Sequence, residues 1–177
     1  MSLRKETTES TEDTEGEGGK HRRLLAVDLG LRTGLALFGG DGRLIWYRSH
    51  NLGTVARLKR AVPSVLRLDD AGAPPDQLVL EGPKNLADAW TRVAEKRGVP
   101  VRLIGAEAWR PALLHSRQQR SGKDAKRHAD DLARRVIRWS GAAGPTSLRH
   151  DAAEAILVGL WGVLQLGWLE KLPGELR

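Results

Sequence analysis

Apolar positions are almost missing from residues 1–22 and become frequent from residue 23 onward. The first stretch is rich in Thr, Glu, Ser and Gly, so it has too little apolar surface to offset the entropy of ordering, and it reads as a disordered tail ahead of one domain spanning 23–177. Three apolar runs follow: Leu24 to Gly30, Thr33 to Gly40, and Arg43 to Ser49. They predict three strands, the last two joined as an antiparallel hairpin through Gly39-Gly40-Asp41-Gly42. The period then changes. Val55, Leu58, Val62, Val65 and Leu66 recur at helical spacing from Thr54 to about Leu68, and Ala71-Gly-Ala-Pro-Pro-Asp76 breaks the pattern before a short buried strand, Gln77 to Glu81. Leu86, Ala89, Trp90 and Val93 mark a helix to Arg97, Gly98 stops it, and Pro100 to Ile104 reads as a fifth strand. A short helix near Pro111 to Ser116, a basic helix from Lys123 to Trp139 and a terminal helix from near Leu148 complete the order. Three strands followed by alternating helix and strand predict an α/β domain: a mixed five-stranded sheet flanked by helices, with the fourth strand parallel beside the first.

Composition narrows the possibilities. A chain of 177 residues can bury one full core, and with no cysteine it has neither disulfides, thiolate metal sites nor a cysteine nucleophile. Residues 152–169 are nearly all apolar, but Glu154 and Gln165 within them favour a buried terminal helix over a membrane span. No apolar leader stands at the N-terminus, so the expected setting is cytoplasmic. The net charge of +7 is uneven: Arg102 to Arg138 holds ten Lys/Arg against four acids. Such a concentration favours a polyanionic partner, because neutralising phosphates releases condensed counterions.

Four acids stand where chemistry is plausible. Asp28 ends the first strand and Glu81 the fourth, so parallel pairing of those strands puts both carboxylates at one edge of the sheet. Asp151 and Glu154, three apart, project from one face at the start of the terminal helix. An Asp before Gly also opens turns, and acids in a first helical turn also complement the macrodipole. Oxygen ligands converging on one site suit Mg²⁺, with Mn²⁺ as a substitute.

Leu25-Ala-Val-Asp-Leu-Gly30, Val79-Leu-Glu81 and His150-Asp-Ala-Ala-Glu-Ala-Ile-Leu157 resemble, in order and separation, the acidic motifs of the RuvC-type Holliday junction resolvases, over residues 24–162. The resemblance implies an RNase H-like fold and a magnesium-dependent endonuclease that resolves four-way DNA junctions. Two strands to be cut by a chain with one acidic cluster, and more apolar side chains on the Leu86 to Arg97 helix and the Trp-rich terminal helix than one sheet face need cover, lead to the expectation of a homodimer. Asp28, Glu81, Asp151 and Glu154 would hold two metal ions. Gly122-Lys-Asp-Ala-Lys-Arg127 is similar to the family's segment in which a lysine assists catalysis, so Lys126 or Lys123 is the implied counterpart. Arg117, Arg120, Lys123, Lys126, Arg127 and Lys84 are the expected DNA contacts. Two features depart from the family pattern: the last acid is Glu154 rather than Asp, and the aromatic that follows the strand-end Glu is replaced by Pro83-Lys84-Asn85-Leu86. That leaves Leu86 as a candidate wedge and Trp90 as a candidate DNA contact. Three other readings compete: a YqgF-like nuclease acting on structured RNA, a non-catalytic DNA-binding module, and an actin-like phosphate loop around Asp28. The last needs a second, duplicated domain, and 177 residues cannot hold it.

Overall fold

Alternation along β1 (Arg23–Asp28) sorts the whole molecule into two layers. Leu24 and Ala26 face one side and Leu25 and Val27 the other, each side packed into its own buried cluster. The computed structural model describes residues 22–67, 73–115 and 122–177. The tail expected over residues 1–22, apart from Arg22, lies outside the described residues, as do Arg117 and Arg120.

β1 pairs antiparallel with β2 (Arg32–Gly39), which pairs antiparallel with β3 (Leu44–Asn51). On its other side β1 runs parallel to β4 (Gln77–Glu81), and β4 parallel to β5 (Val101–Ile104). The order β3-β2-β1-β4-β5 is the mixed five-stranded sheet that the sequence predicts. Helices α1 (Val55–Val65) and α2 (Lys84–Glu95) cover one face, burying Leu58, Val62, Leu86 and Trp90 against Leu25, Val27, Leu35 and Leu80. Helices α3 (Ala106–Leu113), α4 (Gly122–Ser140) and α5 (His150–Gln165) cover the other.

α5 is the central helix of the core. Twelve of its sixteen residues are buried, which explains its apolar sequence, and no helix among the described residues is long and apolar enough to cross a membrane. Its first turn rests directly on β2 at Gly34, where a Cβ would meet the backbone oxygen of Asp151 at 1.9 Å. Only glycine allows that approach, and it fixes the start of α5 at the edge where β1 and β4 end.

Two expectations need correction. α3 begins at Ala106 rather than near Pro111, because Gly105 starts the helix and fully buried Trp109 anchors its first turns, leaving Pro111 inside. α2 turns its apolar stripe inward: Leu86 is buried and Trp90 is only 1% exposed, so neither stands on the surface as a wedge or a DNA contact. The same packing removes the surplus of exposed apolar side chains expected on α2 and α5. Among the described residues the large exposed apolar side chains are Leu31, Ile45, Val55, Leu103 and Leu166.

Candidate active site

Parity carries the acids to one place. Asp28 continues the Leu24, Ala26 series of β1, and Glu81 continues Val79 of β4, so both side chains leave the sheet on the α5 side; the two residues are direct partners in the parallel register. Beyond Glu81, Gly82 takes φ 130°, a backbone conformation that turns the chain sharply out of the strand and that a side chain would strain; Leu29 also packs against the spot.

One carboxylate oxygen each of Asp28, Glu81 and Glu154 lies within 4.8 Å of the others, all three side chains half-buried. The structure therefore brings together three of the four acids singled out in the sequence. The fourth, Asp151, lies outside that trio. It is 7% exposed and accepts a hydrogen bond from Ser49 Oγ on β3, yet it stands close enough for its charge to act on Asp28.

Electrostatics at the cluster are unfavourable to three bare charges. Burial first, then the charges of Glu154 and Glu81, push the Asp28 carboxyl from 3.8 up to about 8. Burial and Glu154 raise Glu81 as well, while a hydrogen bond from Asp28 and the nearby Arg110 pull it down. Without a bound cation, the protonated form of Asp28 is therefore favoured, hydrogen-bonded to the Glu81 carboxylate. Carboxylates that crowd together at the cost of ionisation, with oxygen-only donors, fit a hard divalent cation.

Two residues that the sequence did not single out brace this cluster. Arg110 Nη2 lies 2.8 Å from Glu154 Oε1, and its charge also reaches Glu81. Ser49 holds Asp151. The signal for Arg110 was available in principle: β4 and β5 end together, with Glu81 paired to Ile104, so the helix after β5 must start beside the acids. His150 Nε2 stands 3.5 Å from Glu154 Oε2.

The predicted cations are more dispersed. Lys84 is exposed at the first position of α2, three residues past Glu81. Lys126 and Arg127 are exposed on α4, with Arg127 3.4 Å from Asp124. No hydrogen bond or ion pair joins Lys126 to the acids among the described residues. Lys123 belongs to the first turn of α4, and its side chain lies outside the described set.

No family model matches this sequence, and no curated protein matches it. Solved structures do. RuvC from Thermus thermophilus in complex with Holliday junction substrate matches at 19% identity and a TM-score of 0.56, over 83% of this chain and 96% of that one. A second structure of Thermus thermophilus RuvC matches at 18% identity and a TM-score of 0.54, over 81% and 94%. At these identities the likeness shows the fold: the chain has the RNase H-like architecture of RuvC across most of its length.

Proposed function

We propose that this chain is a metal-dependent endonuclease that cuts branched DNA, with the four-way junction as its substrate. The observation that carries the reading is the convergence of Asp28, Glu81 and Glu154 from β1, β4 and α5 within 4.8 Å at one sheet edge. The fold supports it, since the matched RuvC structure holds a Holliday junction substrate. So does the basic helix α4, whose solvent side presents Lys126, Arg127 and Arg138.

Asp28, Glu81 and Glu154 would hold the metal, Mg²⁺ or Mn²⁺, with Asp151 completing the set of acids once it turns from Ser49. Bound there, one or two such ions supply a water of lowered pKa and positive charge beside the scissile phosphate. The protein's own groups do the rest. Arg110 fixes the direction of Glu154, and Ser49 holds Asp151 beside the cluster until it turns inward. Lys126, or Lys123 one turn before it, would steady negative charge on the phosphate, and Lys84, Arg127, Arg117 and Arg120 would position the backbone of the arms. A junction presents two strands for symmetric cutting, and one chain offers one acidic cluster, so the working form is a homodimer.

The test is cleavage with Mg²⁺ of a four-way junction, a linear duplex and a structured RNA in parallel. Paired nicks near the branch of the junction are the expected result. Preferential cutting of the RNA would move the protein to the YqgF-like reading, and tight junction binding without cleavage by any divalent metal would make it a binding module.

A further inference from the structure

A cluster of carboxylates repels a polyanion, so affinity for DNA must come from cations beside it. Two stretches of the chain supply them: residues 102–138 hold ten Lys/Arg against four acids, and residues 29–67 hold seven against Asp41 alone. The fold treats the two differently. In the first, Arg110 is bonded to Glu154, Arg127 stands 3.4 Å from Asp124, Arg134 stands 2.9 Å from Asp130, and Arg135 donates to the backbone oxygen of Arg177. In the second, Arg48, Arg57, Lys59 and Arg60 are exposed, and none of them has an ion-pair partner among the described residues.

Three of these cations share one face. On β3, Trp46 packs with the cluster beneath α1 and α2, and Tyr47 with the one beneath α5. Strand alternation therefore puts Arg48 and His50 on the α1 side, where Arg48 rests over the Trp46 ring at 5.0 Å. Beside them α1 buries Leu58 and Val62 and turns Arg57, Arg60 and Ser64 to solvent. Spaced by three and four residues, these three form a single stripe along the helix. Ser64 lines a cavity together with Arg48 and His50, so the stripe runs along the flank of α1 that borders β3.

The face is continuous with the acidic site. Ser49, between Arg48 and His50, hydrogen-bonds Asp151 on the other side of the sheet. The segment leading into α1 is tied to the loop that follows Asp28, because Leu52 N and Gly53 N bond to Leu31 O at 2.7 and 3.2 Å. Arg57, in the first turn of α1, therefore stands at the same end of the sheet as the acids. β3 is two strands from β1, a separation of about 10 Å along the sheet. That is on the order of a DNA major-groove width, about 12 Å. One duplex can thus lie against both places.

We propose that the β3–α1 face seats the sugar-phosphate backbone of a duplex DNA arm, with Arg48, Arg57 and Arg60 on its phosphates, while the acidic cluster engages the strand to be cut. The proposal rests on the nuclease reading and adds to it a contact surface away from α4. The composition of the face suits a polyanion and not a protein partner: its cations stand without carboxylates, and on α1 Val55 is the one large apolar side chain exposed among the described residues. Contacts to phosphate fix where an arm lies and carry no sequence information, so the face acts alike on arms of any sequence.

The experiment is an anisotropy titration in EDTA, over a series of salt concentrations, of a labelled duplex, a labelled four-way junction and a structured RNA. The proteins are the full chain, Arg57→Gln/Arg60→Gln and Arg57→Lys/Arg60→Lys. Each phosphate contact contributes about 0.9 to the slope of log affinity against log salt, so the glutamine pair flattens the slope for duplex and junction by about 2. At about 0.1 M salt it binds both DNAs at least about tenfold more weakly, and the lysine pair, which keeps the charge, restores slope and affinity. Should the glutamine pair lose its thermal transition, Arg48→Gln takes its place, with a slope flatter by about 1. A slope equal to that of the wild type in a folded glutamine variant, a loss that lysine does not restore, or a loss confined to the RNA would overturn the proposal. Because no metal is present, the two readings separate: a flattened slope without junction cleavage in Mg²⁺ keeps the face and removes the nuclease, and cleavage with an unchanged slope does the reverse.

Discussion

Asp28 and Glu81 meet across a parallel strand pair, and their mutual repulsion with Glu154 has a measurable consequence in pH. With the Asp28 carboxyl pushed up to about 8 from 3.8 by burial and by the neighbouring acids, the folded chain keeps a proton that the unfolded chain has already released. Between those two values the unfolded state binds fewer protons, so this group makes stability fall as pH rises and then level off above about 8. In EDTA, the wild-type thermal midpoint is expected to drop from about pH 5 to about pH 8 more steeply than that of Asp28→Asn, which carries no such proton. Parallel slopes for the two proteins would show that Asp28 ionises without penalty. A divalent ion must displace that proton, so Mg²⁺ should raise the wild-type midpoint more at about pH 8 than at about pH 5 and should do little for Asp28→Asn at either. Cleavage by Asp28→Asn or Glu81→Gln is expected to fall by at least about a hundredfold with junction affinity kept, since losing even a group behind a metal ligand costs about 10–100-fold. Near wild-type cutting by either variant would displace the site.

At the scale of elements, the ends of β1 and β4 deliver Asp28 and Glu81 and the first turns of α5 deliver Asp151 and Glu154, while their supports come from within β3 and α3, and that division decides what could be read in advance. The strands were legible because period-two alternation and the glycine-rich hairpin are local signals. Asp28 and Glu81 were legible with them, because parallel pairing of β1 and β4 leaves their ends level. Arg110 was not. Its role depends on α3 starting at Ala106, and Pro111 in the sequence suggested a helix start instead of a helix interior. Ser49 depends on which face of β3 meets α5, which no local pattern reveals. Arg110→Ala is expected to lower cleavage about 10–100-fold and to raise the Mg²⁺ concentration needed for half-maximal rate, with Arg110→Lys recovering part of both. Stability should change by no more than about 1 kcal/mol, because the guanidinium is 37% exposed and such pairs contribute little to folding. A stability loss matching the activity loss would instead make Arg110 a structural brace. On α4, Lys126→Ala should slow cleavage by on the order of 10² at constant affinity. A variant that loses affinity alone would place Lys126 among the phosphate-positioning groups.

At the scale of the whole molecule, the sheet has two edge strands, and they differ in how they are finished. Part of the β3 edge is covered by the end of α4 and the segment after it: Leu44 N donates to Ser140 Oγ at 3.0 Å, and Tyr47 Oη to Ala143 O at 2.8 Å. The β5 edge has no such cover among the described residues. β5 exposes Arg102 and Leu103, with Leu103 43% exposed, and a groove of 360 Å³ runs between this strand and α2, lined by Ala87, Thr91, Val99 and Leu103 among others. An edge strand without cover among the described residues, with Leu103 exposed on it, is a pairing surface of the kind that proteins otherwise protect. Packing has drawn the Leu86 and Trp90 stripe inward, so this edge, rather than α2 alone or α5, is the surface expected to carry the proposed homodimer. Two chains paired across it by a two-fold axis would present two acidic clusters to one junction. Light scattering at micromolar concentration is expected to give twice the mass of one chain, and Leu103→Glu to give the monomer. The monomer should keep its fold, since Leu103 is far from buried, and should nick a junction without the paired cuts of the dimer. A wild type that is monomeric with and without junction DNA would remove symmetric resolution while leaving the acidic cluster as a nuclease site, whereas a Leu103→Glu protein that stays dimeric would move the interface to another face.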